Sequence, residues 1–274
     1  DGGIMVLIGI GNAGSNLLDC FSKHHKKITI LPNDFPKHCK ITEDYEEHCP
    51  DFSKRLKFKE DECWVALCGA GKVAGCTLRV LETIKNKKIN IAYICPDPTI
   101  ITPIQAKRHK VVFNVLQEFA RSGLLNKIYL FSNKQIINII GEQSIINMYN
   151  NINKQIANAI ETVEWFKTQE PVLGSPHTPK EISRICTLSV GDFQKNKEKL
   201  LFPLDKITET GYIYSISKTQ LENNKDLLKL IKERVIKDEE NKISSSFAIY
   251  PSSHKKSFFY SLKLSHAIQT LETK

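Results

Sequence analysis

Two glycine-rich segments, each placed directly after a short apolar run, constrain the fold of this chain most strongly. The run Ile4–Ile8 leads into Gly9–Asn16 (GIGNAGSN), and Cys63–Cys68 leads into Gly69–Gly75 (GAGKVAG). A helical pattern follows each of them. In a strand–turn–helix unit the glycines let the backbone approach a phosphate, and the helix N-terminus supplies N–H donors. One such turn serves a dinucleotide, whereas two in the same sheet predict a polyphosphate held from both sides.

Apolar runs and helical patterns alternate along the whole first half of the chain. Runs of this kind are typical of strands that are buried on both faces of a sheet. Besides the two units above, the pattern predicts strands at Ile28–Leu31, Ile89–Cys95 and Lys127–Phe131, and helices at Gln105–Arg121 and Lys134–Ile140. The alternation predicts an α/β fold with a doubly wound parallel sheet, which forms a nucleotide-binding domain over residues 4–143.

The segment Ser144–Phe166 is predicted to form one long amphipathic helix. Its apolar residues recur every three or four positions, at Ile145, Tyr149, Ile152, Ile156, Ile160 and Val163. Ser144 is suited to cap the start of this helix, and Pro171 prevents it from continuing. Residues 144–170 are therefore expected to form a central helix that joins the first half of the chain to the second.

The pattern of residues 171–274 predicts a smaller α+β domain. Its expected elements are the strands Gly211–Ser217, Ser246–Tyr250 and Phe258–Leu264 and the helix Asn223–Asp238. A polar turn, Ser252-Ser253-His254, separates the last two strands. The segment Lys180–Leu188 is compatible with a short helix or with a strand.

Composition narrows the class of protein. The 274 residues carry a net charge of +9, and the sequence shows neither a membrane-spanning run nor a signal peptide. Because the lysines are spread out with few aromatics between them, a solvated basic surface is favoured over a nucleic-acid-binding patch, although the charge permits a polyanionic partner. The eight cysteines are expected to be reduced, as in the cytoplasm. His38-Cys39 and His48-Cys49 do not match the spacing of a zinc module, and no metal site is predicted.

Four motifs, in this order, resemble those of the tubulin/FtsZ superfamily. Gly9–Asn16 is similar to that family's opening phosphate loop, and Gly69–Gly75 stands in the place of its GGGTGTG signature. Ser132–Ile137 resembles its asparagine-bearing turn before a short helix, and Tyr149–Asn153 (YNNIN) resembles the YxNLN of the central helix of eukaryotic tubulin. The resemblance covers residues 4–190. The short length and divergent loops are most similar to tubulin-like proteins of bacteriophages or plasmids.

The resemblance implies a cytoplasmic protein that binds GTP or GDP, with Mg²⁺ as a candidate ion, and that assembles head to tail with itself into filaments. It implies that the base contacts Asn133, Tyr149 and Asn153. The residues implied for the phosphate side are Gly9, Gly11, Asn12, Ala13, Gly14, Asn16, Gly69, Ala70, Gly71, Lys72, Val73, Ala74, Gly75 and Arg108. Helix geometry agrees, because residues four apart share a face: the ring of Tyr149 can stack on a purine while the carboxamide of Asn153 offers the donor and acceptor that guanine requires.

Three departures from the family pattern leave hydrolysis open. Lys72 replaces the signature threonine, which keeps a positive charge but removes a hydroxyl. The loop Gly174–Ser183 lacks the family's Asn-x-Asp and offers only Glu181 as a carboxylate, so Glu181 is the candidate catalytic residue acting on the nucleotide of a neighbouring subunit. Ile104 stands where an acid is expected four residues before Arg108.

Two alternatives remain at this point. The first is a degenerate tubulin-like subunit that works as a structural or interaction protein without GTPase activity. The second is an NAD-dependent oxidoreductase of the Rossmann type, in which Asp34 after the second strand would meet a ribose hydroxyl. The second alternative leaves the second glycine turn and the YNNIN motif unexplained.

Overall fold

The first half of the chain forms a parallel sheet. The computed structural model describes residues 3–253 and 255–271. The elements of this half are β1 (Val6–Ile10), α1 (Gly11–Asp19), β2 (Lys26–Ile30), α2 (Thr42–Glu47), β3 (Glu62–Leu67), α3 (Thr77–Thr83), β4 (Lys88–Cys95), α4 (Pro103–Arg121), β5 (Lys127–Ser132) and α5 (Asn133–Ile140). The strands lie in the order β2-β1-β3-β4-β5, and each pair is parallel.

Helices cover both faces of this sheet. Successive strand residues point to opposite faces, so Leu7 and Ile8 contribute to two different apolar clusters. One cluster packs the sheet against α1, α5 and α6 (Met148–Phe166), and the other packs it against α3 and α4. Burial on both sides explains why all five residues of β1 are buried. The predicted doubly wound α/β fold is confirmed.

The second half of the chain extends the same sheet. Its elements are β6 (Leu173–Gly174), β7 (Ile185–Asp192), β8 (Lys197–Leu200), β9 (Glu209–Ser217), α7 (Lys218–Asn223), α8 (Leu227–Glu240), β10 (Ser244–Ser252) and β11 (Phe258–Ser265). β7 pairs in parallel with β5, and the order continues β7-β11-β9-β10-β6. The segment Lys180–Leu188, for which the sequence allowed a helix or a strand, contributes its residues 185–188 to strand β7. The division into residues 4–143, 144–170 and 171–274 stays a prediction.

The central helix α6 begins four residues later than predicted. Ser144 does not cap it; instead the Ser144 carbonyl accepts hydrogen bonds at 3.0 Å from the N–H groups of Asn147 and Met148 in a preceding turn. Ile145 and Ile146 are 89% and 91% exposed. Ile145 fits the helical spacing of apolar residues, but its side chain is exposed and lies outside the helix. The spacing alone therefore predicts a helix that is too long. The rest of the predicted stripe, from Ile152 to Val163, is buried.

Two other sequence-based expectations also differ from the structure. Helix α1 starts at Gly11, inside the glycine motif, rather than after it. The helix predicted at Asn223–Asp238 is α8, which starts four residues later, at Leu227, because the side chain of Asn224 accepts the N–H of Asp226 at 3.1 Å and forms a turn before it. The predicted strands Ser246–Tyr250 and Phe258–Leu264 are present as parts of β10 and β11, and β11 lies between β7 and β9. His254 of the predicted turn lies outside the described residues.

None of the helices within residues 3–253 and 255–271 combines the length and the apolar character needed to cross a lipid bilayer.

Candidate functional site

A cavity of about 510 Å³ opens at the carboxyl ends of the parallel strands. Most of its lining comes from five segments: the turn after β1, the turn after β3, the loop after β4, the start of α5 and the first turns of α6. Pro32, Tyr45 of α2 and Gln105 of α4 complete it. The predicted site residues in its lining are Gly11, Asn12, Ala13, Asn16, Ala70, Gly71, Lys72, Val73, Ala74, Asn133, Tyr149 and Asn153. Its volume lies within the range of small-molecule sites, and its position at this edge is where doubly wound sheets bind ligands.

The start of α1 provides N–H donors at one side of the cavity. The residue before the helix, Ile10, has no side chain that could cap it, and the first turn contains no acidic residue. The first N–H groups of a helix have no partner within the helix, and the helix dipole makes this end positive. Gly11, with φ of +71°, makes the bend from β1 into α1 in a conformation that favours glycine. This end of the cavity therefore suits an anion.

The turn after β3 supplies a positive side chain. Residues Lys72–Cys76 form a short 3-10 helix that Gly71 precedes as its N-cap. The exposed side chain of Lys72 lines the cavity and has no ion-pair partner among the described residues. Of the lining residues, only Lys72 and Asp97 carry a charge at neutral pH. The turn can thus place a cation opposite the start of α1.

Two buried asparagines face the opposite part of the cavity. Asn133, the first residue of α5, is 7% exposed, and its side-chain oxygen Oδ1 is buried without a hydrogen-bond partner in the described part of the chain. Asn153 on α6 is 8% exposed, and its carboxamide has no partner within the described residues. Tyr149, one helical turn before Asn153, is half-exposed. Buried polar groups in folded proteins are nearly always paired, so these carboxamides indicate a polar ligand.

Comparison with solved structures identifies the fold. A GTPγS-form protofilament of TubZ from Bacillus thuringiensis serovar israelensis has a TM-score of 0.68 at 13% identity, covering 96% of this chain and 86% of that one. GTPγS-bound CetZ2 from Haloferax volcanii has a TM-score of 0.70 at 12% identity, covering 97% and 95%. An empty FtsZ dimer from M. jannaschii has a TM-score of 0.67 at 12% identity, covering 100% and 94%. The chain has the tubulin/FtsZ fold. No family model and no curated protein matches the sequence.

Within this tubulin/FtsZ fold, five of the predicted site residues do not line the cavity. They are Gly9, Gly14, Gly69, Gly75 and Arg108. The glycines permit close packing instead: a Cβ at Gly14 would overlap the carbonyl oxygen of Ala66 on β3, and one at Gly75 would overlap the carbonyl oxygen of Thr42 on α2. Arg108 lies on α4, one turn beyond its first residues. The assignment of these five residues as ligands stays a prediction.

The loop after β4 contributes residues that the sequence analysis missed. Asp97 lines the cavity, and its carboxylate accepts hydrogen bonds from the N–H (2.9 Å) and hydroxyl (2.7 Å) of Thr99. Gln105 lines it from the first turn of α4, where it also forms a capping box with Thr102. Ile104, which stands where the resemblance calls for an acid, is exposed. The sequence position of Asp97, two residues after the parallel strand β4, could have indicated that it lies at this edge of the sheet.

Glu181 lies at the other edge of the sheet. Its loop leads into the amino-terminal end of β7, whereas the cavity lies at the carboxyl ends of the strands parallel to β7. The Glu181 side chain is 91% exposed and lies 3.7 Å from the guanidinium of Arg184. Glu181 and the cavity of one chain therefore do not meet.

Buried hydrogen bonds fix the loop that carries Glu181. The ring of His177 bridges the hydroxyl of Ser246 on β10 (2.8 Å) and the carboxylate of Glu209 on β9 (3.2 Å). The N–H of Lys180 also donates to Glu209, at 3.1 Å. Although burial opposes ionisation of Glu209, the hydrogen bonds from Ser183, Lys180 and His177 hold its pKa below the ordinary value. The loop is therefore anchored to the sheet through an ionised Glu209.

Asp34 does not reach the cavity. Its carboxylate forms an ion pair with Arg55 at 2.7 Å and accepts the N–H of Leu31 at 2.8 Å. The hydrogen bond from Arg55 lowers the pKa of Asp34. Asp34, which would bind the ribose in an oxidoreductase, thus forms structural contacts instead.

The rings of His38 and His48 are in contact, and no cluster of three or more metal-ligating side chains occurs within the described ranges.

Proposed function

We propose that this chain is a tubulin-like cytoskeletal protein of the cytoplasm of a bacterium or of a phage-infected host, which binds a guanine nucleotide and assembles with copies of itself into filaments. One observation carries this proposal. The cavity brings together all four segments that resemble nucleotide-binding motifs, and Asn133 in its lining has a buried carboxamide oxygen, Oδ1, that no group among the described residues satisfies. The tubulin/FtsZ fold supports the same function, because TubZ and CetZ2 were solved as GTPγS protofilaments.

The phosphates would lie between α1 and the turn after β3. The N–H groups from Gly11 to Ala13 would bind them as donors, and Lys72 would neutralise part of their charge. Asp97 is the carboxylate that would bind Mg²⁺, since it is the acidic side chain in the described lining. Magnesium would screen the phosphate charge in addition to Lys72.

The guanine base would lie beside α6. The ring of Tyr149 can cover one face of the purine, and Asn153 can pair with its hydrogen-bonding edge. Asn133 Oδ1 is an acceptor, so it suits an amino or ring N–H of the base or a hydroxyl of the sugar. These donors and acceptors favour guanine nucleotides over NAD, for which Asp34 is not in place.

Self-assembly would join the two edges of the sheet head to tail. Exposed apolar side chains occur at both edges: Ile100, Ile145 and Ile146 near the cavity, and Val172, Leu173 and Ile182 in the loop between α6 and β7. Exposed apolar residues that form a contiguous patch mark sites of protein–protein contact. Contact between two different surfaces does not close on itself, and it generates a filament. It would also bring Glu181 to the nucleotide of the next subunit.

A nucleotide-binding filament subunit without turnover is the second candidate function. It is favoured by the loop before β7, in which Glu181 replaces a paired Asn and Asp and lies beside the positive charge of Arg184. GTP binding followed by a rate of hydrolysis that rises with protein concentration supports catalysis between subunits. Binding and assembly without phosphate release would support the second candidate.

The experiment that tests the proposal is calorimetric titration of the full chain with GTP, ATP and NAD, followed by electron microscopy with each ligand. We expect saturable binding of GTP, weaker binding of the other two, and filaments with GTP. Equal affinity for all three, or no binding, would contradict it.

A further inference from the structure

Two free cysteines lie in contact beside the turn that lines the phosphate side of the cavity. Cys76 is the last residue of the 3-10 helix Lys72–Cys76 and is fully buried. Cys49 follows α2 and is partly exposed. Cys76 belongs to the apolar cluster that joins α2 to this turn, Cys49 packs against the same cluster, and the two thiols are close enough to influence each other's ionisation, although 27 positions separate them in the sequence (76 − 49).

Tight packing of α2 on this turn brings the two thiols together. Gly75 lies so close to the carbonyl of Thr42, at the start of α2, that no side chain fits between them. Tyr45 of α2 and Val73 of the turn belong to the same apolar cluster, and both line the cavity. The segment that ends at Cys49 and the turn that ends at Cys76 are therefore one packed unit at the cavity wall.

The two thiols differ in reactivity. The hydrogen bond from Cys76, aided by the charge of Arg79, lowers the pKa of Cys49 in spite of its burial. The same hydrogen bond, together with burial, raises the pKa of Cys76. Burial likewise raises the pKa of Cys20, and it raises that of Cys63 to about 12. Because the thiolate is the reactive form, Cys49 is the thiol among these that is suited to attack an oxidant.

We propose that Cys49 and Cys76 are a redox pair that hydrogen peroxide converts into an intramolecular disulfide. The sulfur of Cys49 attacks one peroxide oxygen, the O–O bond breaks, and the departing hydroxide takes up a proton to leave as water. The Cys76 sulfur then attacks the sulfenic acid at Cys49, its proton combines with the departing hydroxyl, and a second water leaves. Two thiols and one peroxide thus give one disulfide and two waters.

The bond would lock the phosphate-side turn onto the segment after α2. The sulfur atoms, already neighbours, have to approach to a bond length of about 2 Å. Its relevance to nucleotide binding rests on the proposed function, but formation of the bond does not depend on it.

The test uses the reduced full chain, exposed to limiting hydrogen peroxide, alkylated with N-ethylmaleimide and digested for mass spectrometry. We expect a peptide pair joined through Cys49 and Cys76, with the loss of two hydrogens, to appear before any other cysteine is oxidised by the peroxide. The wild-type experiment needs no variant, so it stands even if a substitution at buried Cys76 impairs folding. Earlier oxidation of the partly exposed Cys20, or modification of Cys49 without the cross-link, would overturn the proposal.

Three variants and a measurement of amide hydrogen exchange extend this test. Cys49→Ser should abolish the cross-link, whereas the matched control Cys20→Ser should leave it intact. In Cys76→Ser the sulfenic acid at Cys49 should accumulate and be trapped by dimedone. Amide exchange of residues 42–49 and 72–76 should slow by about fivefold or more in the oxidised chain. Unchanged exchange would contradict the proposal that the disulfide holds the turn against the segment after α2. Failure of GTP binding in the reduced chain would count against the proposed function alone.

Discussion

Asn133 and Asn153 face the same cavity from two different helices, and each is more than nine-tenths buried. Asn133 opens α5 directly after the last parallel strand of the first half, and Asn153 lies in the second turn of α6. Neither carboxamide has a hydrogen-bond partner among the described residues, and Asn133 Oδ1 has no access to solvent. A buried polar group without a partner costs free energy, and a ligand that pairs with it removes that cost.

Replacing Asn133 by Ala should therefore weaken GTP binding while leaving the fold intact. The expected loss of affinity is about tenfold, because one hydrogen bond to a polar ligand disappears. The free energy of unfolding of the nucleotide-free protein should stay within about 0.5 kcal/mol, since the lost acceptor had no partner. Titration with GTP and urea denaturation measure the two effects.

Asn90 supplies the matched control for this substitution. It is as buried as Asn133, but its carboxamide donates to Glu62 and accepts from Asn126. Asn90→Ala should lower the free energy of unfolding by about 1–3 kcal/mol and leave the affinity for GTP unchanged. The reverse pattern for the two variants would show that Asn133 is a structural residue.

Two glycines of the phosphate turns should respond differently to alanine. A Cβ at Gly14 would overlap the carbonyl of Ala66, whereas the nearest atom to a Cβ at Gly71 is 3.7 Å away. Gly14→Ala should lower the free energy of unfolding by about 2 kcal/mol or more, and Gly71→Ala by less than about 0.5 kcal/mol. Urea denaturation of both variants makes the comparison, and equal losses would contradict the packing role of Gly14.

Lys72→Ala should reduce affinity for GTP more than affinity for GDP. The side chain is the positive group of the described cavity lining, and its contribution grows with the charge of the ligand. We expect a loss of about tenfold for GTP at low salt that shrinks as salt is added. Lys85→Ala is the control, because Lys85 is exposed and paired with Glu82 away from the cavity. An effect of the same size in both variants would remove Lys72 from the site.

The free energy of unfolding should fall as the pH is lowered from 6.5 towards 4. Burial lowers the pKa of His109 to about 4, and its Nδ1 lies 2.7 Å from the hydroxyl of Tyr93. The folded state binds fewer protons than the unfolded state in this window, so stability is complete above pH 6.5 and is lost below it. At pH 5 the loss is about 2 kcal/mol.

Two variants assign this pH dependence to His109. Urea denaturation at pH 7 and pH 5 should show a much smaller difference in His109→Gln than in the wild type. His266→Gln, which changes an exposed histidine, should keep the full difference. His25, whose pKa is also lowered by burial, contributes in the same direction and remains in both variants.

Filament formation should depend on the exposed isoleucines near the cavity. Ile146 is 91% exposed, so Ile146→Asp should leave the melting temperature nearly unchanged while it prevents GTP-dependent sedimentation. Ile236→Asp on α8 is a matched control at another exposed isoleucine. Equal sedimentation of both variants would place the interface elsewhere.

The elements that the sequence could predict are those set by local patterns. The buried runs around Leu7 and Val65 and the glycine turns after them are contiguous in sequence, and the tubulin/FtsZ resemblance rested on the same residues. The stripe from Ile152 to Val163 was likewise visible as a period. These patterns were enough to predict the α/β fold and most residues that line the cavity.

Features that depend on distant contacts could not be predicted in the same way. Insertion of β11 between β7 and β9 is a pairing of segments far apart in sequence, and the charged strand β8 lies beside β7 without an apolar pattern of its own. Arg108 matched by spacing, but the way α4 leaves the sheet brings Gln105 to the cavity instead. The position of Asp97 after β4 predicts the edge of the sheet at which it lies, but its place in the cavity lining depends on the path of the loop.

The measurement that tests the central claim most directly is sedimentation of the wild-type chain and of Asn133→Ala, each with GTPγS, GTP or no nucleotide, with the pellets imaged by electron microscopy. We predict wild-type filaments that require nucleotide, and a concentration of GTPγS for half-maximal assembly that rises about tenfold in the variant. Filaments of the wild type that form equally without nucleotide, or an unchanged concentration in the variant, would contradict the account.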